Sequence, residues 1–262
     1  MNELLVDRKD DGVVLITLNR TDMRNAMTDT MTAEWRAVMA ELRDDRQARC
    51  LVVTGAGSAF SSGGDLSWIG ERGTEAVPRL RDRMLAFYRT WLAITELEIP
   101  TIAAVNGPAV GAGLCVALAC DLVYAADDAK LLAPFTSLGL HPGMAATYLL
   151  PKRAGARLAA EMLLTGRTVS GREASDKGLV NQSFPKNHLM SETEAIARKI
   201  AQNAHCHAPH QSSPQPRPSR PGSRADVGIP GSARDHGLRR HDRGPDRPSG
   251  KAHAQIHRLL II

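Results

Sequence analysis

Short apolar runs alternate with longer amphipathic segments along the first 204 residues. The apolar runs are rich in β-branched residues and predict strands at 4–8, 12–20, 50–57, 100–107 and 121–126. Amphipathic, Ala-rich or well-capped segments predict helices at 31–45, 76–97, 111–119, 170–178 and 192–204. Because strands separated by helices are typical of an α/β protein, we expect an α/β fold.

The end of the chain has a different composition from the rest. From residue 204 onward there are nine Arg and one Lys against four Asp, a net charge of +6, whereas the other 203 residues sum to −1. The same segment holds seven of the nine His and eight of the fifteen Pro, and it has no aromatic residue. Such a composition cannot supply a packed core. We therefore expect a globular domain at 1–204 and a disordered basic tail at 205–262.

Several classes of protein are not expected from this sequence. No apolar run is long enough to predict a membrane span, and residues 1–9 do not have the apolar centre of a signal peptide. The cysteines have no CxxC spacing, so neither a disulfide framework nor a zinc site is predicted; they are Cys50, Cys115, Cys120 and Cys206. A cytoplasmic protein without a metal or a membrane partner is the resulting expectation.

Two glycine-bearing turns follow predicted strands. They are AFSSGGDL at 59–66 and NGPAVGAGLCVALACD at 106–121. Backbone N–H groups at a junction between a strand and a helix can donate to a carbonyl oxygen or an oxyanion. Small residues at such junctions can equally serve close packing of a helix on a sheet. Neither turn has the glycine spacing of a nucleotide-binding loop, so a phosphate cradle is not expected.

Taken with their flanking segments, these turns resemble the crotonase, or enoyl-CoA hydratase/isomerase, superfamily over about residues 3–204. The segments occur in the family's order: VLITLNR, RNAM, VVTGAGSAFSSGGDL, PTIAAVNGPAVGAGLCVALACDLVYA and LTGRTVSGREASDKGLVNQ. The resemblance implies a spiral of ββα units, a homotrimer or a hexamer, and an acyl-CoA thioester as the partner. It implies no separate cofactor, since coenzyme A is part of the substrate.

The resemblance also assigns residues to a site. It implies that the thioester oxygen lies between the backbone amides of Gly64 and Ala112, where an enolate would be stabilised. It assigns further substrate contacts to the two turns and to the RNAM loop, which lines the channel for coenzyme A; these residues are Arg24, Ala26, Ser62, Asp65, Leu66 and Gly111.

The sequence departs from the family at the two glutamates that move protons in its hydratases. The resemblance puts these positions at Cys115 and Phe135. Phe cannot transfer a proton, and a thiol in an apolar helix should have a raised pKa. His141, in the loop over the acyl pocket, is the candidate replacement, although it can also be a packed histidine bonded to backbone. Asp65 is expected to cap a helix instead of acting as the base.

Three functions remain open at this point. The first is an acyl-CoA enzyme that uses the oxyanion hole with nonstandard acid and base groups. The second is a non-catalytic or impaired acyl-CoA binder that lacks both glutamates and the family's C-terminal helices. The third is nucleic-acid binding by the tail, which is disfavoured because the tail has no aromatic residue for base stacking. The HCHAPH segment at 205–210 reflects the tail's composition and does not indicate a metal site.

The sequence of the tail indicates that the chain ends in a shifted reading frame. Codons permitted by Ala204 to Gln211, and those permitted from Gly228 onward, can be read one base forward as a continuation typical of the family, and that reading meets a stop codon at Leu260. We therefore expect the coding DNA to hold an intact family ending in the next frame. Sequencing the gene across residue 204 checks this, and a next frame without such an ending would exclude a frameshift.

Overall fold

The computed structural model describes residues 2–65 and 77–203, with side chains from residue 79 onward in the second range. Leu66, the helix that Asp65 was expected to cap, and the predicted tail at 205–262 lie outside the described residues. The chain divides into two units, Met1–His210 and Gln211–Ile262, and every described residue belongs to the first.

Strands and helices alternate through the described residues. The strands are β1 (Leu4–Arg8), β2 (Val13–Leu18), β3 (Cys50–Gly55), β4 (Thr101–Val105), β5 (Ala109–Val110), β6 (Leu122–Ala126), β7 (Lys130–Leu132), β8 (Val169–Ser170) and β9 (Gln182–Phe184). The helices are α1 (Asp29–Asp44), α2 (Val77–Leu92), α3 (Ala112–Ala119), α4 (Ala146–Thr165), α5 (Gly171–Asp176) and α6 (Lys186–Gln202). Short 3-10 helices lie at Thr21–Met23, Ala93–Glu96 and Thr136–Leu138. The predicted α/β class is confirmed.

A six-stranded sheet forms the centre, in the order β1-β2-β3-β4-β6-β9. Strand β1 pairs antiparallel with β2, and every other pair in this sheet is parallel. All residues of β3 and β4 are buried, as expected for strands covered on both faces of a parallel sheet. A second sheet, β5-β7-β8, lies beyond the end of β4. The chain therefore leaves both β3 and β4 at the carboxyl edge of the large sheet, where the two glycine turns lie.

The structure adds elements that the hydrophobic pattern did not predict. Helix α4 and strands β5, β7, β8 and β9 are new, and α6 begins at Lys186 instead of at 192. Helix α4 contains Pro151, and its backbone leaves the helical region at Gly155, with φ 74° and ψ 165°. Such a break interrupts the 3.6-residue period, and strands of two or three residues are too short to show alternation. The predicted helix at 76–97 ends at Leu92 and continues as a 3-10 turn.

Helices α1 and α2 are joined by a buried aromatic pair. The rings of Trp35 and Trp91 stack with their centroids 4.7 Å apart, and both residues are fully buried. The indole N–H of Trp91 donates to Thr32 Oγ1 at 3.0 Å, so its polar end is satisfied. Helix α1 itself begins at the N-cap Thr28, whose Oγ1 accepts from the amide of Met31 at 3.0 Å. This packing fixes the helix that forms one wall of the site described next.

Candidate active site

A cavity of about 330 Å³ lies among the two glycine turns, helix α2 and the loop that leads into α4. Its wall is mostly apolar, and the titratable side chains that line it are those of Asp65, Tyr88 and His141. Among the described residues, the complete lining is Ser62, Gly63, Gly64, Asp65, Leu80, Met84, Phe87, Tyr88, Val110, Gly111, Ala112, Pro134, Phe135, Leu138, Leu140, His141 and Met144. Apolar pockets with a few convergent polar groups are typical binding sites.

The side chain of Asn25 forms hydrogen bonds with the backbone that leads into the first turn. This residue is fully buried and has a left-handed backbone, with φ 57°, which Asn tolerates better than most residues. Its Nδ2 donates to the carbonyls of Ala56, Ala59 and Phe60 at 3.0, 2.8 and 3.2 Å. Its Oδ1 accepts from the amide of Arg20 at 2.8 Å. One amide side chain therefore fixes the path of the backbone just before the glycines.

Backbone hydrogen bonds tie the first turn to the second. The amides of Phe60 and Ser61 both donate to the carbonyl of Pro108, at 3.0 and 3.1 Å. In return, the amide of Val110 donates to the carbonyl of Ser61 at 2.9 Å. A Cβ at Gly113 would lie 2.7 Å from the Ser61 Cβ, so the start of α3 packs directly on this strand-like segment. The two turns thus form one unit.

Two residues that line the cavity, Gly64 and Ala112, have backbone amides without an acceptor among the described residues. Neither Gly64 nor Ala112 donates a hydrogen bond from its backbone N–H to any of the described residues. Ala112 is the first residue of α3, and the amides at a helix start have no intrahelical partner. Gly63 brings the first turn close to the second, since its φ is 91° and a Cβ there would lie 2.6 Å from the Val110 carbonyl oxygen. Both residues therefore border the same mostly apolar cavity.

The structure brings most of the sequence-predicted site residues to this cavity. The lining includes Ser62, Gly64, Asp65, Gly111, Ala112, Phe135 and His141. Three others are not part of it: Arg24, Ala26 and Cys115. Arg24 supports the first turn instead, because its carbonyl accepts from the Ser62 amide at 2.9 Å. Ala26 is buried in the same loop.

The two positions where the family's glutamates were expected are both apolar in character. Cys115 is buried in α3, one turn after Gly111, whose carbonyl accepts from its amide at 3.0 Å. Burial raises the pKa of the Cys115 thiol to about 12, so a thiolate is scarcely populated near neutral pH. The ring of Phe135 faces the second turn, 3.8 Å from where a Cβ of Gly111 would lie. His141 also lines the cavity and is exposed.

Sequence reasoning missed the wall contributed by α2. Leu80, Met84, Phe87 and Tyr88 face the cavity from this helix. The helix itself was predicted. Its apolar residues follow the pattern of a core-facing helix, so the pattern does not show that some of them line a cavity. One available signal was the grouping of aromatic residues in FYRTW at 87–91, in a chain that is only 4% aromatic.

Comparisons with known proteins identify the family of this chain. A model of the family enoyl-CoA hydratase/isomerase matches residues 8–213. A probable enoyl-CoA hydratase from Mycobacterium tuberculosis is 45% identical over 171 residues, which span 65% of this chain and 65% of that relative's length. A 1,2-epoxyphenylacetyl-CoA isomerase from Escherichia coli is 35% identical over 202 residues and 77% of each chain.

Solved structures agree with these sequence matches. The crystal structure of an enoyl-CoA hydratase from Bacillus anthracis has a TM-score of 0.72 and 34% identity, covering 77% of each chain. The crotonase-like fold expected from the sequence is therefore confirmed. The family match covers residues 8–213, whereas the sequence motifs predicted a match over about residues 3–204. Among the described residues, no helix could cross a membrane and no group of three or more metal-ligating side chains occurs.

Replacing Asn25 should loosen the whole site. Asn25→Ala leaves three carbonyls and one amide without their partner and puts Ala in a left-handed conformation. We expect a loss of about 2–4 kcal/mol in the free energy of unfolding, because each buried polar group left unpaired costs roughly 1–3 kcal/mol and some will find water. Urea unfolding measures this.

Two control variants separate the causes of that loss. Asn25→Gly removes the same hydrogen bonds without backbone strain, so it should be destabilised by slightly less than Asn25→Ala. Asn187→Ala changes an exposed Asn on α6 and should stay within about 0.5 kcal/mol of the original. Equal stability of Asn25→Ala and Asn187→Ala would contradict the supporting role of Asn25.

Proposed function

The chain belongs to the enoyl-CoA hydratase/isomerase family, and from this premise we propose that it acts on an acyl-CoA thioester held by the amides of Gly64 and Ala112. The observation that supports the proposal is that Gly64 and Ala112 both line one mostly apolar cavity, and that neither backbone amide donates a hydrogen bond to the described residues. Relatives described as an enoyl-CoA hydratase and an epoxyphenylacetyl-CoA isomerase act on substrates of this class.

The proposed role of these amides is to stabilise an enolate. When a proton leaves the α carbon of a thioester, or a nucleophile adds at the β carbon, negative charge develops on the carbonyl oxygen. Two fixed donors in a cavity with little polar surface stabilise that charge without reorganising, and each typically contributes about 3–4 kcal/mol. Because the donors are backbone groups, the Ala side chain at position 112 is compatible with this role.

Proton transfer has to come from a group other than the usual glutamates. Phe135 has no proton to exchange, and the Cys115 thiol is buried and has a pKa of about 12. His141 lines the same cavity from an exposed loop, and an imidazole can act as acid or base near neutral pH. We therefore assign the proton-transfer step to His141. The remaining substrate contacts expected from the family stay part of the proposal: Arg24, Ala26, Ser62, Asp65, Leu66 and Gly111.

A second candidate function is an acyl-CoA binder with little or no catalysis. It is favoured by one observation, the presence of Cys115 and Phe135 at both positions that the family resemblance assigns to glutamates. A homotrimer or hexamer and a cytoplasmic location are further expectations from the resemblance, and an assembled state would require the family's C-terminal helices. The chain requires no separate cofactor in either function.

The second donor can be removed by a single substitution. Ala112→Pro deletes the N–H at the first position of α3, where Pro is tolerated. We expect kcat/KM for the best acyl-CoA substrate to fall by about 10²–10³, the usual effect of losing one oxyanion donor. Steady-state kinetics measure the effect, and circular dichroism confirms that the helix persists.

The matched control for this variant is Ala112→Gly, which keeps the N–H and should retain activity within about tenfold. Binding of free coenzyme A, which does not occupy the oxyanion position, should be equal in the two variants. Equal activity of Ala112→Pro and Ala112→Gly would refute the assignment of the amide.

The absence of both glutamates predicts poor hydration. Turnover of crotonyl-CoA, followed by the loss of enoyl-thioester absorbance, should lie far below the roughly 10 per second typical of enzymes.

His141→Ala should lower activity on the best substrate by about 10²–10⁴, the usual contribution of an acid or base. His188→Ala, which changes an exposed His on α6, is the control and should be neutral. Unchanged activity of His141→Ala would remove His141 from the mechanism.

A further inference from the structure

We propose that the hydroxyl of Tyr88 is the polar specificity contact of the acyl cavity, and that the preferred acyl group is apolar with an oxygen that bonds to this hydroxyl. This inference deepens the proposed function and rests on it. It assigns a substrate class: acyl-CoA thioesters that carry a hydroxyl, keto or ether oxygen beyond the thioester.

The wall around Tyr88 suits an apolar group. Helix α2 contributes Met84 and Phe87 next to Tyr88, and the rings of Phe87 and Tyr88 meet edge to face with centroids 6.0 Å apart. Phe135 and Met144 complete the aromatic and thioether surface on the other elements. Phe87 also connects this wall to the oxyanion donors, because its Cζ lies 3.8 Å from where a Cβ of Gly64 would be. A thioester seated at Gly64 therefore has its acyl chain beside these rings.

The Tyr88 hydroxyl lies close to Gly143 and has no hydrogen-bond partner among the described residues. A Cβ at Gly143 would lie 2.1 Å from the hydroxyl oxygen, so residue 143 can be accommodated here only without a side chain. The oxygen makes no hydrogen bond with the described residues, and it is not among their fully buried unpaired atoms, so it stays accessible. An unpaired hydroxyl in an apolar cavity is costly unless a ligand or water completes it.

The chemistry of the hydroxyl favours an oxygen on the ligand. Burial, with a smaller contribution from the nearby Cys115, raises the pKa of Tyr88. The phenol therefore remains neutral and protonated at neutral pH, and it can donate to a carbonyl, hydroxyl or ether oxygen. A cavity that contains such a donor discriminates against an analogue that lacks the acceptor, because the donor is then left unpaired.

The test compares matched pairs of acyl-CoA ligands on the full-length chain. The pairs are butanoyl-CoA with 3-hydroxybutanoyl-CoA, and phenylacetyl-CoA with 4-hydroxyphenylacetyl-CoA, so that the oxygen lies at two distances from the thioester. Isothermal titration gives each Kd. The original chain should bind the hydroxylated member of at least one pair about three- to tenfold more tightly, which is the usual net effect of one hydrogen bond.

Two variants alter the same hydroxyl in different ways. Tyr88→Phe removes it and should abolish the preference while changing the Kd of the unsubstituted ligand by less than about twofold. Gly143→Ala keeps the hydroxyl but displaces it, and it should also reduce the preference. Tyr148→Phe is the matched control, since Tyr148 is 58% exposed on α4 and lies outside the cavity lining. It should keep the full preference.

The outcomes separate this inference from the proposed function. If acyl-CoA ligands bind more tightly than free coenzyme A but no pair shows a preference, the Tyr88 inference alone is overturned. A preference that survives in Tyr88→Phe overturns it as well. If no acyl-CoA binds more tightly than free coenzyme A, the proposed function and the inference fail together.

Discussion

The site depends on one buried amide side chain. The Nδ2 of Asn25 donates to the carbonyls of Ala56, Ala59 and Phe60, which belong to the segment that leads into the first glycine turn. The same turn then exchanges backbone hydrogen bonds with Pro108 and Val110 in the second turn. The positions of the Gly64 and Ala112 amides are therefore set by a chain of hydrogen bonds that begins in the RNAM loop. The RNAM loop therefore supports the cavity although neither Arg24 nor Ala26 lines it.

The elements that could be predicted from the sequence are those that depend on interactions between residues close together in the chain. Strands β3 and β4 are continuous buried runs, and α1 and α2 bury a regular stripe, so local pattern was sufficient to find them. The glycine turns could also be located, because backbone that approaches a neighbour closely excludes side chains. Gly63 and Gly113 show this directly. The two strand ends and the turns that follow them therefore needed no long-range information.

The remaining features depend on which surfaces meet in three dimensions. The cavity face of α2 has the same apolar pattern as a core face, so Phe87 and Tyr88 gave no separate signal. Helix α4 was hidden by Pro151 and by the break at Gly155. Cys115 was placed at a glutamate position by resemblance, and the structure buries it in α3 outside the cavity lining. A one-dimensional pattern cannot distinguish a residue that lines a cavity from one that packs behind it.

Backbone groups and side chains have different proposed roles in this site. The donors proposed to stabilise the thioester oxygen are backbone amides, whose position is determined by the fold and survives changes in side chains. The proton-transfer and recognition groups are side chains, and one change of residue removes them. With Cys115 and Phe135 at the two positions where carboxylates were expected, the proposed oxyanion site is unchanged. The type of reaction then depends on the polar side chains that line the cavity. Among the described lining residues with titratable side chains, these are Asp65, Tyr88 and His141. A phenol and an imidazole transfer or donate a proton only to an atom within hydrogen-bond distance. The reaction that this site can carry out is therefore determined by which atom of the acyl group lies that close to Tyr88 or His141.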